Sequence, residues 1–314
     1  MTPFEVKRKV AIADDVHLFE LAPADSTPLL AFDAGAHITL LTPNGMTRRY
    51  TLCNAPAERD RYLIAVKRDA QGLGGSTSVV DDVAVGDRLQ VSAPRNDFGL
   101  DAQASSHLLI AGGIGVTPIL AMARQLQAQG AEFRVVYITR SASASAFLDQ
   151  LTAPDFAGRV LTHHDQGDRA RSFDLAPLLA ERPPGAHVYC CGPRPLMQAV
   201  REHARHWPSG SVHFEDFGSA EDAEAPTGRG FAVRLLRSGV TLEVPHDQSI
   251  LHVVRRHGIA VPSSCESGTC GSCRTGLVSG RAQHRDFVLD EDEHDQAIMI
   301  CVSRAESPLL ELDL

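Results

Sequence analysis

The chain has 314 residues, with 39 acidic against 30 basic side chains and a formal net charge of -9. That length prompts a prior of about two or three domains with sizeable cores. The acidic balance, with no Lys/Arg run, argues against nucleic acid or an anionic membrane as partner. Residues Met1 to Lys7 lack the basic-then-apolar order of a signal peptide, and no apolar run approaches the ~18 residues of a membrane span. Seven cysteines make an odd number, four of which are claimed by the motif described below, so a disulfide framework is not expected and a reducing cytoplasm fits best.

The first hundred or so residues read as all-β. Short β-branched or alternating runs at Phe4 to Ile12, Val16 to Ala22, His37 to Leu41, Arg49 to Cys53, Tyr62 to Lys67 and Arg88 to Ser92 alternate with turn clusters such as Thr42-Pro43-Asn44-Gly45. This spacing predicts a small antiparallel barrel. In Arg48-Arg49-Tyr50-Thr51-Leu52-Cys53, alternation puts Arg48, Tyr50 and Leu52 on one face and Arg49, Thr51 and Cys53 on the other. Further on, Gly72-Leu73-Gly74-Gly75-Ser76-Thr77 leads into a Ser/Thr-started helix, whose free N–H groups can hold an anion. Either piece alone is weak, because an Arg-Tyr strand is commonly a solvated face and a Gly/Ser turn commonly only a turn.

After Phe98-Gly99 the period changes. A buried strand at His107 to Ala111 runs into Gly112-Gly113-Ile114-Gly115-Val116-Thr117-Pro118 and a helix to about Gln129. Strands at Phe133 to Thr139, Arg159 to His164, His187 to Cys191 and Val212 to Asp216 follow, separated by helices near 144–151, 173–179 and 195–205. This alternation predicts a doubly wound parallel sheet, with ligands at the carboxyl ends of its strands. Both Gly112 to Pro118 and Cys191-Gly192-Pro193 fall at that edge. The first loop is not the full G-x-G-x-x-G fingerprint, since Pro118 stands in the place of the third glycine. Cys190 reads as a buried strand cysteine.

Residues 218–229 are acidic and aperiodic and read as a linker. A hairpin at Phe231 to Leu236 and Val240 to Val244 and a helix from about Ser249 to His257 come next. Then follows Cys265-x4-Cys270-x2-Cys273, with Cys301 further on. This is the plant-type 2Fe-2S spacing. Two bridged irons need four soft anionic ligands, and Gly268, Gly271, Ser267 and Ser272 keep the loop small enough to wrap the cluster, with amides free to donate to sulfur. Zinc usually comes as paired short knuckles, and a thioredoxin-like Cys270-x-x-Cys273 leaves Cys265 and Cys301 unexplained. Hairpin, helix and further strands predict an α+β β-grasp domain. Among fourteen histidines, His163 and His164 point to opposite faces of a strand and are not expected to share an ion. His284-Arg285-Asp286 is expected to shape the stretch before the fourth cysteine by hydrogen bonding.

The Arg-x-Tyr-Thr strand and Gly/Ser turn, followed by Gly-Gly-x-Gly-x-Thr-Pro and Cys-Gly-Pro, resemble the ferredoxin-NADP reductase superfamily. That resemblance implies that Arg48 pairs with the flavin phosphate, Tyr50 lies against the ring and Thr51 bonds near its reactive nitrogen. It also implies a phosphate cradle of Ser76, Thr77 and the Gly75 amide, with Lys67 a second candidate charge. Gly113, Gly115, Thr117, Pro118, Gly192 and Pro193 would hold the dinucleotide, with Cys191 beside the nicotinamide. Phe217, or alternatively Phe214, would shield the flavin, with core packing the plain alternative for both.

The order flavin barrel (1–101), NAD-binding α/β domain (102–217), linker (218–229) and 2Fe-2S ferredoxin domain (230–314) resembles the reductase components of phthalate-dioxygenase-type Rieske oxygenases. The resemblance implies FMN as flavin, NADH as donor and a terminal Rieske oxygenase as partner. NADH gives two electrons and the cluster takes one, so the flavin bridges the two. No side chain is expected to act as general acid or base. The ribose is expected beyond the second strand of the parallel sheet, where Arg140 is the one cation of Thr139 to Ser143 and the residue expected to blur a preference for NADH. A general NADH:acceptor reductase and a redox-sensing flavin/iron–sulfur module remain the alternatives.

Overall fold

A computed structural model describes residues 1–25, 28–218 and 229–314. Residues 219–228, nearly all of the expected linker, lie outside the described residues. Contacts divide the chain into two units, Met1–His213 and Phe214–Leu314. Among the described residues no helix is long and apolar enough to cross a membrane.

The first unit begins with β1 (Thr2–Ala13), β2 (Val16–Pro23), β3 (Ala36–Leu41), β4 (Thr47–Thr51), β5 (Tyr62–Lys67), helix α1 (Gly75–Asp82), β6 (Arg88–Val91) and β7 (Arg95–Asn96). The strands run in the order β4-β3-β6-β1-β2-β5, with β7 beside β3, and an antiparallel bridge from Leu52 to Ile64 joins the two ends into a barrel. The two-residue β7 is too short to carry a periodic signal. One face of the strands fills the barrel with Phe4, Val6, Phe19, Ile38, Leu40, Ile64 and Val66. Side chains of this size stabilise the fold by ~1.5–3 kcal/mol each when fully buried.

The second part of this unit alternates β8 (Ser106–Gly112), α2 (Val116–Gln129), β9 (Glu132–Thr139), α3 (Leu148–Leu151), β10 (Val160–His164), α4 (Ala176–Leu179), β11 (Ala186–Cys191), α5 (Arg194–His203) and β12 (Val212–Glu215). The sheet order is β10-β9-β8-β11-β12, with β8 to β11 paired in parallel. Two expected helices shrink. Near 144–151 the Ser145 hydroxyl donates to the Ser141 carbonyl at 2.7 Å and Phe147 adopts φ 60°, so only Leu148–Leu151 is helical. Near 173–179 the Asp174 carboxylate caps Ala176 N–H at 3.0 Å and the helix starts there. Barrel and sheet share one core: Val16, Leu18, Ala34, Cys53, Ala65 and Phe98 pack with Leu109, Ile119, Leu120, Met122 and Tyr189. That continuity is why residues 1–213 cluster together. Helix α2 is tied to the barrel by two polar side chains. Arg124 donates to the Cys53 carbonyl at 2.7 Å, and Gln125 accepts Ala34 N–H at 3.1 Å.

The second unit holds β13 (Phe231–Leu235), β14 (Val240–Val244), α6 (Ile250–Arg256), β15 (Arg274–Ser279), β16 (Ala282–Gln283), β17 (Ala297–Met299), β18 (Arg304–Ala305) and β19 (Leu309–Asp313). Its main sheet is β14-β13-β19-β15-β17, with β13 and β19 parallel and β16 and β18 forming a separate pair. Ser249 caps α6, accepting His252 N–H at 3.1 Å. Ile250, Val253 and Val254 of that helix pack onto Val233, Leu242, Ile298 and Leu310. Arg304 is buried at 2% exposure and donates to the carbonyls of Gln248, Arg229 and Pro245 at 2.7, 3.1 and 3.0 Å, lying over the Phe231 ring.

Candidate functional site

Strand β4 ends beside the start of α1. Arg48 crosses the helix start so closely that a Cβ on Gly75 would lie 2.6 Å from its Nε, which explains glycine there. The turn before it needs Gly74 at φ 91°. The first helical bond runs from Ser78 N–H to the Gly74 carbonyl at 3.0 Å. The amides of Gly75, Ser76 and Thr77 therefore precede it, beside a guanidinium. The two hydroxyls serve the loop: Thr77 donates to the Gly74 carbonyl at 2.8 Å, and Ser76 accepts Asp69 N–H at 3.1 Å. Asn44 braces the turn through its own amide on Ser78 and its side chain on Gly74.

Tyr50 has its hydroxyl buried, and among the described residues no partner meets it; burial pushes its pKa up, with Arg48 opposing. A buried, unpartnered phenol two residues from a phosphate-type cradle fits a flavin that would supply the missing bond. Thr51 is buried at 4%. Lys67 is exposed at the end of β5, next to Arg68, which is paired with Asp81 of α1 at 2.8 Å. Cys53, two residues beyond Thr51, is pushed up to about 12 by burial and is held as an unreactive thiol.

The two glycine motifs of the sheet edge meet at the ends of β8 and β11. A Cβ on Gly115 would fall 2.1 Å from the Cys191 carbonyl oxygen, and one on Gly192 would fall 2.9 Å from Gly112 Cα. Neither has positive φ, so close approach, not backbone freedom, requires them. Gly113 does have positive φ, at 55°, in a short 3-10 turn that opens α2. Thr117 is buried and donates to the Ile114 carbonyl at 3.2 Å, closing that turn. Pro118 is also buried in α2, and Pro193 abuts Gly112. The Cys191 and Cys190 side chains are fully buried. Arg140 is exposed just past β9, beside a hydrogen-bonded chain of Ser145, Thr139 and His164 with links of 2.7 and 2.8 Å.

In the second unit Cys265, Cys270, Cys273 and Cys301 meet as two thiol pairs, Cys265 with Cys270 and Cys273 with Cys301. In each pair the partner thiol is the largest influence, drawing Cys265 and Cys273 down and pushing Cys270 and Cys301 up. Among the described residues no three His, Cys, Asp or Glu side chains converge as the ligands of one ion do. Brought together in this way, the four thiols fit the donor set that a 2Fe-2S cluster would take. Amides aim at the sulfurs: Ser267 and Thr269 donate to Cys265 at 3.4 Å, Cys265 donates to Cys270 at 3.3 Å, and Gly268 donates to Cys301. Gly268 and Gly271 have φ of 82° and 79°.

Sequence reasoning missed the clamp on this loop. Arg255 of α6 pairs with Glu266 at 2.6 Å, and Glu266 sits at φ 55°; a lone Glu between cysteines carries no signal of that strain. Phe214 is buried against Phe287, with ring centroids 5.0 Å apart, whereas Phe217 is 42% exposed. His163 and His164 do take different partners, the Arg171 carbonyl and Thr139.

Family models match three stretches: an oxidoreductase FAD-binding domain over residues 3–99, the N-terminal domain of dimethylamine monooxygenase subunit DmmA-like proteins over 89–208, and a 2Fe-2S iron-sulfur cluster binding domain over 233–306. The chain is 52% identical to phthalate dioxygenase reductase of Burkholderia cepacia, over 99% of this chain and 96% of that one. The chain belongs to the phthalate dioxygenase reductase family. It is also 51% identical to the phthalate 4,5-dioxygenase oxygenase reductase subunit of Pseudomonas putida, over 100% of this chain and 97% of the relative. The solved structure of a phthalate dioxygenase reductase, described as modular for electron transfer from pyridine nucleotides to [2Fe-2S], superposes with TM-score 0.71 at 51% identity, covering 99% and 97% of the two chains. Like the family, this chain is an oxidoreductase with a flavin-binding barrel, a parallel-sheet nucleotide domain and a 2Fe-2S domain.

Proposed function

We propose that this family member takes electrons from NADH onto FMN and passes them singly through the 2Fe-2S cluster to a terminal Rieske-type aromatic oxygenase, in the cytoplasm. The observation that carries the reading is the conjunction, in one chain, of the Arg48–Gly75 cradle with the orphaned Tyr50 hydroxyl and of four thiols paired two-and-two. A bound flavin supplies two-electron acceptance with one-electron release, and the cluster carries one electron at a time.

The residues bind, orient and tune. The Arg48 guanidinium and the amides of Gly75 to Thr77 hold the flavin phosphate. Tyr50 lies against the ring, with Thr51 beside its reactive edge. Gly113, whose Cβ position is open, lets the pyrophosphate approach the loop it shares with Gly115 at the start of α2, Gly115 being packed under the Cys191 carbonyl, while Thr117 holds the shape of the turn through Ile114. Gly192 and Pro193 press the second loop against the first, beside Cys191. FMN rather than FAD rests on a single phosphate cradle, although the matching barrel model is named for FAD. The domain limits 1–101, 102–217 and 230–314 go with this reading, the barrel and sheet being joined by their common core. For Phe214 the buried contact with Phe287 favours core packing over a shielding role.

Mass identification of the released flavin, together with the visible spectrum of anaerobically purified protein, tests the assignment. FMN with added broad iron–sulfur absorption is the expected result, and FAD would replace the FMN reading. For the donor, kcat/KM with NADH is expected to exceed that with NADPH. Arg140→Ala should widen the gap; a wild-type preference for NADPH that collapses in the variant would overturn NADH.

A further inference from the structure

Strand β1 carries a bulge that turns a lysine toward the barrel interior. Val6 lies opposite Leu21 and Arg8 opposite Glu20, so Lys7 is the extra residue and Lys9 then falls opposite Phe19. Directly paired side chains share a face. Phe19 is a fully buried member of the barrel core, and the half-buried Lys9 therefore faces inward. Its ammonium lies 5.8 Å from the Phe19 ring centroid and donates to the carbonyls of Val80 and Val83 at 2.6 and 2.7 Å. These carbonyls stand at the carboxyl end of α1, whose Val79 and Val80, with Val83 just beyond, pack into the same core.

Helix α1 needs that cation from outside itself. It holds no basic side chain in its last turn, where Asp81 and Asp82 instead meet the negative end of the helix dipole. The last carbonyls of a helix also have no partner within it. Two strands supply what the helix lacks: Arg68, just past β5, bonds Asp81 at 2.8 Å, and Lys9 caps the two carbonyls. The opposite end of these eight residues, only about 12 Å away at 1.5 Å per residue, carries the Gly75 to Thr77 amides beside Arg48 and has no side-chain cap of its own. Anchored at its far end, so short a helix has little freedom to draw those amides away from a bound phosphate.

We infer that Lys9 is a positioning residue for the flavin phosphate: by holding the carboxyl end of α1 against the barrel, it keeps the Gly75 to Thr77 amides aimed at the phosphate and so strengthens the preference for a phosphorylated flavin over the same ring without phosphate. The inference rests on the reading of Arg48 and Gly75 to Thr77 as the phosphate cradle. Lys9 acts through the helix rather than by touching the flavin.

Binding of FMN and of riboflavin, which lacks only the phosphate, to the full-length chain after release of its flavin tests this with Lys9→Met. That variant keeps an unbranched stem beside Phe19 and removes the ammonium. The FMN dissociation constant should rise about fivefold, the scale of one charge at a helix end, with that of riboflavin unchanged. An equal rise for both flavins would make Lys9 a purely structural residue, and no rise for FMN would show that α1 holds the phosphate without it; either result overturns the proposal. If Lys9→Met does not fold, amide exchange in the wild type decides. FMN should slow exchange over Ser78 to Val83, the turn that Lys9 holds, more than riboflavin does at equal saturation, and equal slowing overturns the proposal. Wild-type protein that binds FMN no more tightly than riboflavin would instead remove the phosphate cradle itself.

Discussion

The cysteine loop and the paired nucleotide loops are both glycine-rich, but they use glycine for different reasons. In the cysteine loop Gly268 and Gly271 take φ near 80°, turning amides toward sulfur. At the sheet edge Gly115 and Gly192 have ordinary dihedrals and are glycine because backbone stands where a Cβ would be. The first is a local device, written into nine consecutive residues plus Cys301. The second exists only after β8 and β11 have paired, bringing together positions some 75 residues apart. A local site can be emptied without touching its surroundings, whereas a site made by packing cannot.

The sharpest break in that comparison is Cys270→Ser. It should abolish the cluster and electron delivery to one-electron acceptors, yet leave flavin reduction by the nicotinamide intact. Loss of the EPR signal with unchanged stopped-flow bleaching of the flavin is the expected pair of results. Simultaneous loss of both would mean that the second unit is integral to the first.

This contrast also governs what could be read from the residues. The C-x4-C-x2-C spacing and the strand–helix alternation are visible as strings, so the cysteines proposed to hold the cluster, the parallel sheet and most strands are legible. Arg48 against Gly75 and Gly115 against Cys191 are contacts between distant segments, and only resemblance brings those residues together from the sequence. The helix expected at 144–151 fails because the Ser145 hydroxyl bonds back to Ser141, a competition that apolar periodicity does not register. Asp286 and Arg304 are charged residues whose burial no string of residues records. They are buried because backbone amides and carbonyls gather around them.

Next in size is Gly115→Ala. Its Cβ would meet carbonyl oxygen 2.1 Å away, and backbone cannot yield as a flexible side chain can. A cost of ~3 kcal/mol or more in the first unit is expected, seen as a fall of roughly 6–12 °C in its melting transition. Gly271→Ala meets only Val288 at 3.5 Å and carries the strain of φ 79°, about 1–2 kcal/mol. Equal losses at the two positions would erase the distinction between crowding and conformation.

Arg48→Ala removes a charge-assisted contact to the flavin phosphate, expected to be worth ~1.5–3 kcal/mol. Flavin affinity measured by fluorescence should drop roughly ten- to a hundredfold, since each 1.4 kcal/mol is a factor of ten, while the cluster spectrum stays as it was. An unchanged affinity would transfer the phosphate charge to Lys67.

The smallest effect concerns pH and belongs to the first unit alone. His213 faces His187, with ring nitrogens 3.0 Å apart, and stacks on Tyr189 at 4.4 Å; His107 and Asp101 complete its surroundings. Burial, then His187, lowers its pKa to about 4 from an ordinary value of 6.5. His187 and His107 are shifted the same way, each mainly by burial. Because the folded value is the lower one, the unfolded chain binds the proton first as pH falls. The neutral ring's contribution is therefore fully present above pH 6.5 and is lost progressively between pH 6.5 and about 4. Discounted for the partial exposure of the ring, the loss is on the order of 2 kcal/mol. Urea melts of wild type and His213→Gln at pH 7.5 and 5 check it. The wild type should lose more stability than the variant across that interval, and parallel losses in the two proteins would show that His213 titrates in the folded state as it does in the unfolded chain.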